Sequence, residues 1–318
     1  MSASTQILHH KKVFEVSRAR RTFTSIAELL IGLFILIVFA LTLPASVTTR
    51  FVMTPGGIEV GQMADWVLPS QLALIILASI CILVGLFELI RGYGRWTNAA
   101  LGACAMFLVF SFLVWQAAGK SLNLGGMLSS AVMLAVPITL GAFSGILAER
   151  SGIINIAIEG MMLMSSMVAA LTGSIMYNPW LGLLGGVLSA MLLALIHGVL
   201  SIKFKVNQTI SGTVINIFSA GMTAFISQKF LQHNEAINNP PMFSRIQIPG
   251  LANIPFIGPI LFNTNLFVYL MLVILIVLQV ALFQTRWGLR LRSVGEHPKA
   301  ADTLGINVIR TRYMGILL

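Results

Sequence analysis

The chain has 318 residues, of which 57% are hydrophobic and only 9% charged, and its mean hydropathy is +0.91. A soluble domain carries about 25% charged residues, so this composition excludes a water-soluble fold and assigns the chain to a lipid bilayer. The net charge of +10 does not make it a nucleic-acid binder, which needs a basic patch on a folded face beside base-reading residues; here the basic residues punctuate apolar segments.

Crossing the hydrocarbon core takes about 20 mainly apolar residues. A basic segment, residues 1–25, precedes a first predicted span from Ile26 to Val47. Leu43-Pro44-Ala45-Ser46 has the small residues of a signal cleavage site. The polar lead-in is long and the apolar run exceeds a signal core, so an uncleaved span is expected. Further spans are predicted at Val67 to Ile90, Ala99 to Ala118, Leu128 to Leu147, Ile153 to Met176, Leu181 to Ile202, Ile210 to Phe230 and Leu266 to Phe283, making eight, and a ninth starts near Tyr313. The expected fold is an all-α integral membrane protein, a polytopic helical bundle whose membrane domain occupies residues 26–318.

Cys81 and Cys104 both fall inside apolar segments. They read as buried small hydrophobes rather than as a disulfide or metal site. Pro137 is expected to kink the fourth span. Gly182 and Gly186 form a GxxxG pattern suited to close helix packing. Gly119-Lys120-Ser121 has the tail of a phosphate loop, but Val114 stands where that motif needs glycine. No metal-ligand cluster or hydrolase motif is present, so no catalytic residue, cofactor or metal is expected.

Orientation follows from basic residues in alternate loops. With the N-terminus inside, the outer loops hold only Arg50, Lys120, Lys229 and Arg245 of the 20 basic residues. The N-terminus and the loop spanning 284–312 are therefore expected in the cytoplasm. The same asymmetry accounts for the high pI.

Polar residues inside spans are costly and commonly functional. The densest set runs from Ala148 to Gly160, AERSGIINIAIEG. Glu149 and Arg150 cap a tight cytoplasmic hairpin in one reading. In the other, the segment is a discontinuous helix lining a polar route. If helical, Asn155 and Glu159 share a face. A second set, Asn207, Gln208, Thr209, Ser211, Thr213 and Asn216, opens the seventh span. His197, alone in the sixth span, reads as hydrogen-bonded to a neighbouring helix.

The stretch from Trp287 to Val308, WGLRLRSVGEHPKAADTLGINV, is a polar island between apolar segments. Such a segment has physical reason to sit on one membrane face when a soluble partner docks there. It resembles the cytoplasmic loop of bacterial ABC importer permeases of the branched-chain amino acid, ribose and nucleoside group. Leu147 to Met162, LAERSGIINIAIEGMM, and the stretch from His197 to Asn216 are similar to the nucleoside and simple-sugar branch. These motifs cover the chain from about Leu128 onward.

The resemblance implies a type II ABC importer permease fold with about ten spans of the usual length, eight of them complete here, and a chain truncated at its C-terminus. It also implies a second permease subunit, cytoplasmic ABC ATPase subunits, an extracytoplasmic substrate-binding lipoprotein and surrounding membrane lipid as partners in a bacterial inner membrane. Whether the permease pair is homo- or heterodimeric stays open. The function implied is the translocation pathway of an ATP-driven importer for nucleosides or a related small polar solute such as a sugar, without an ATPase site of its own.

By the same resemblance, Gly295 to Gly305 forms the coupling helix, with Gly295, Glu296, Pro298, Ala300, Ala301, Asp302 and Gly305 as its ATPase-coupling residues. Pro298 suits a helix start, Ala300 and Ala301 keep the surface slim, and Glu296 and Asp302 can pair with basic groups. Asn155, Glu159, Asn207, Ser211 and Asn216 are the expected pathway residues. The competing reading is a secondary transporter driven by an ion gradient, with Glu159 and His197 as coupling groups; a third is a membrane scaffold without transport.

Overall fold

The computed structural model describes residues 17–318; the first 16 residues of the predicted basic segment lie outside the described residues. Among those described, eight helices are long and apolar enough to cross a membrane, as many as the sequence predicts and in the same order. Contacts divide the chain into two units, Met1–Met127 and Leu128–Leu318.

The first unit packs three long helices. They are α1 (Arg18–Phe34, continued by a π-helical stretch to Ala40), α2 (Ser70–Ile90) and α3 (Thr97–Gln116). The predicted first span is displaced: the helix starts at Arg18 rather than Ile26 and ends before Val47. Ser17 caps its start, its hydroxyl accepting from Arg20 N at 3.4 Å. Beyond it β1 (Thr48–Val52) pairs antiparallel with β2 (Trp66–Pro69) and parallel with β3 (Ser121–Asn123). These short strands join helix ends and were not legible in an apolar pattern of helical length. Gly119-Lys120-Ser121 is the turn into β3, with Arg50 N donating to Lys120 O.

Cys81 and Cys104 are free and buried, as the sequence predicts. Two carboxylates that the span assignment passed over are also fully buried. Glu88 accepts from Tyr93 N and Thr97 Oγ1, both at 2.8 Å. Glu28 has no hydrogen-bond partner among the described residues.

The second unit holds most of α4 (Leu124–Arg150), which runs through Pro137 without a break, then α5 (Ile158–Met176) and α6 (Pro179–Gly198, continued to Lys203). Asn178 begins α6, its side chain accepting from Trp180 N at 2.8 Å, and Pro179 supplies the preset first turn. The GxxxG pair serves close packing: a Cβ at Gly182 would lie 2.7 Å from Ala169 O, and one at Gly186 3.0 Å from Ser165 O. The unit continues with α7 (Gln208–Ile226, extended to Leu231) and a two-stranded sheet of β4 (Arg245–Gln247) and β5 (Asn263–Asn265), with the short α8 (Ile257–Leu261) between those strands. The apolar α9 (Leu266–Gln284) leads into α10 (Arg286–Glu296), α11 (Pro298–Thr303) and α12 (Val308–Leu317).

Candidate coupling and pathway site

The polar island folds as two helices and a turn. Thr285 caps α10, accepting from Gly288 N at 3.1 Å, and Leu291 and Val294 are its fully buried face. His297 then breaks the helix, and its Nδ1 accepts from Ala300 N at 3.2 Å to cap α11, with Pro298 in the first turn. This short helix occupies part of the stretch that the resemblance assigns to coupling.

Its side chains divide by burial. Glu296, Ala300, Asp302 and Gly305 are exposed and Pro298 is partly covered. Ala301 is 2% exposed and faces inward, so it offers no slim outer surface. Gly295 also faces inward. A Cβ there would collide with Arg150 O and lie 3.2 Å from Gly152 N. The sequence analysis assigns no role to Leu304, which is 80% exposed at the end of α11; nothing in the sequence sets it apart from Leu289, Leu291, Val294 and Ile306 of the same island. Beside it lies a cavity of about 430 Å³ lined by Trp287, Arg290, Leu304, Asn307 and Arg310, with no acidic residue in its wall.

The segment between α4 and α5 is neither a continuous helix nor only a tight hairpin. Gly152, at φ +82°, closes a turn after Arg150, in a conformation that glycine adopts at low cost. Residues 153–157 then run without helix along the first turns of α7. The premise that Asn155 and Glu159 share a helical face therefore fails, because Asn155 precedes the helix. Its side chain accepts instead from Ala157 N at 3.0 Å.

Buried backbone amides and carbonyls need partners, which elements packed against them can supply. Here the neighbouring helices do so. Ile154 N donates to Gln208 Oε1 at 2.7 Å. Asn216 Nδ2 donates to Ile156 O at 2.9 Å, and Gly160 N donates to Asn216 Oδ1 at 2.8 Å. His197, fully buried, has Nε2 3.4 Å from Ile154 O and Nδ1 2.9 Å from Ser211 Oγ. A carbonyl only accepts, so Nε2 carries the hydrogen, and in the singly protonated ring Nδ1 accepts from the serine hydroxyl. Gly212 permits the approach, since a Cβ on it would lie 2.9 Å from Ile156 Cβ.

Of the predicted pathway residues, Asn155, Ser211 and Asn216 thus meet around one connection. Asn207 stands apart as the cap of α7, accepting from Thr209 N at 2.9 Å. Glu159 is exposed in the first turn of α5, where its charge complements the helix dipole. None of the five lines the cavity of about 700 Å³ between α4, α5 and α6, whose wall is mostly apolar and rich in methionine, with Ser144, Ser165, Ser166 and Asn265 as its polar residues.

Residues 127–318 match the family described as branched-chain amino acid transport system / permease component. The guanosine ABC transporter permease protein NupQ of Bacillus subtilis (strain 168) is 37% identical over 194 residues, covering 59% of this chain and 61% of that protein. The nucleoside ABC transporter permease protein NupC of Lactococcus lactis subsp. cremoris (strain MG1363) is 39% identical over 199 residues, 60% of this chain and 62% of its own length. The chain thus spans about three-fifths of these relatives. No solved structure matches. The ion-gradient reading finds no support among these relatives. Because the family match covers more than half of the chain, including its motif-bearing helices, this chain belongs to the branched-chain amino acid transport system permease component family.

Proposed function

We propose that this chain is the permease subunit of an ATP-driven importer and forms the route for a nucleoside or a chemically related small polar solute. The observation that carries the reading is 37–39% identity to guanosine and nucleoside permeases over 194 and 199 residues, beside a family match whose residues 127–318 include α11 and the α4–α5 connection. ATP hydrolysis belongs to cytoplasmic ATPase subunits, which dock on the exposed face of α11. A second permease subunit and an extracytoplasmic binding protein complete the importer. Asn155, Ser211 and Asn216 act by shaping the helices beside the route, Asn207 by starting α7, and Glu159 by presenting charge at the start of α5.

Full-length permease, reconstituted in proteoliposomes with its ATPase and binding protein, is expected to take up labelled nucleoside only when the ATPase side receives ATP. Dissipating ion gradients with an ionophore should leave the rate unchanged. Uptake that proceeds without ATP and collapses with the ionophore would refute the importer reading in favour of a secondary carrier.

The N-terminus and α11 lie in the cytoplasm in this reading, as the basic-residue asymmetry requires. In intact cells, a cysteine at Lys299 is expected to escape an impermeant thiol reagent, whereas one at Arg245, exposed in β4, is labelled. The opposite labelling pattern would invert the topology.

A further inference from the structure

We infer that the α4–α5 connection, residues 151–157, is the transmission element of the permease, bearing on α10 at one end and gripped by α6 and α7 at the other. The inference rests on the importer reading and assigns a working part within it. At the α10 end the connection meets backbone directly, and at the other end it is hydrogen-bonded to side chains of α6 and α7. At the α10 end, Gly295 lies against Arg150 O, and an added Cβ at Gly152 would be only 3.3 Å from the Gly295 Cα. At the α12 side, a Cβ on Gly315 would lie 2.6 Å from Ser151 Oγ. At the other end stand the four bonds from Gln208, His197 and Asn216 to Ile154, Ile156 and Gly160.

A displacement of α11 carries α10 with it, because only His297 separates the two helices. Gly295 then presses on the turn at Arg150–Gly152. The connection cannot absorb that push by stretching, since Ile154 N, Ile154 O and Ile156 O are held to α6 and α7. The start of α5 and the first three turns of α7 move instead, in the manner of small helix shifts at packed interfaces. His197 is a positioning residue in this scheme. Through its Nε2 hydrogen it holds the Ile154 carbonyl, and it has no call to touch the solute.

The test uses full-length permease with its ATPase and binding protein in lipid, and two variants. Gly295→Ala inserts a methyl group against Arg150 O, on a different helix from the amides to be read. It is expected to speed hydrogen exchange at Ile154 and Gly160 by about tenfold while amides in α6 near Gly182 stay unchanged. Nucleoside taken up per ATP hydrolysed should fall about fivefold or more, the coupling lost being of ordinary allosteric size. The second variant pair addresses His197. His197→Gln keeps an amide N–H able to reach Ile154 O and is expected to restore uptake per ATP to within about twofold of the native value, whereas His197→Ala loses it.

Unchanged exchange at Ile154 and Gly160 in Gly295→Ala would overturn the mechanical link. So would a glutamine variant as poorly coupled as the alanine one. If the native complex shows no ATP-driven uptake, the importer reading fails, and the exchange measurement still decides whether α10 bears on the connection.

Discussion

Asn216→Leu is expected to lower ATP-driven uptake by at least about tenfold and to reduce thermal stability in detergent. The side chain links α7 to two backbone groups, Ile156 O and Gly160 N. Leucine is close to asparagine in size, so the helix itself keeps its own bonds. The change leaves a carbonyl and an amide unpaired, and each such orphan costs about 1–3 kcal/mol when buried. Asn216→Asp separates the two halves of the effect. It still accepts from Gly160 N–H but, ionised, no longer donates to Ile156 O, and its uptake should fall between the native and leucine values. Unfolding temperature and initial uptake rate, measured on the same reconstituted samples, check both variants. A leucine variant indistinguishable from the native protein in both would remove Asn216 from the mechanism.

Leu304→Asp is expected to weaken binding of the ATPase subunits by about 30-fold, the effect of losing a central contact worth about 2 kcal/mol. Leu304 projects from the end of α11 at 80% exposure, so its replacement removes apolar surface that the permease itself does not bury. Arg310→Glu, in the wall of the adjoining cavity, should weaken docking further by setting an acid where two arginines and a tryptophan now stand. Ala301→Trp provides the contrast. Because Ala301 is buried, tryptophan there forces α11 off its base and should lower the unfolding temperature, unlike Leu304→Asp. Titrating labelled ATPase onto full-length permease gives the affinities. Equal affinity for native and Leu304→Asp permease would place the docking face elsewhere.

Span number and order were legible in the sequence because the length of an apolar run is a property of the chain alone, set by bilayer thickness. The start of α11 was legible at Pro298 and the α5–α6 packing at Gly182 and Gly186, since proline and glycine act through their own backbone and size. The short strands were not, because three residues such as Ser121 to Asn123 become a strand only when Arg50 to Val52 lies beside them. The division of the polar residues into roles was likewise beyond the sequence. Asn207 and Asn216 are the same residue type, one capping α7 and one inside it. One caps its own first turn and the other holds Gly160, 56 positions earlier. Gly295 and Ala301 sit in a polar island yet turn inward, and Leu304 turns out. Composition and periodicity decide which segments enter the membrane, because lipid responds to each segment separately. Where a loop amide finds its acceptor, and which way a side chain on a short helix points, depends on neighbours far along the chain, and these only tertiary packing supplies.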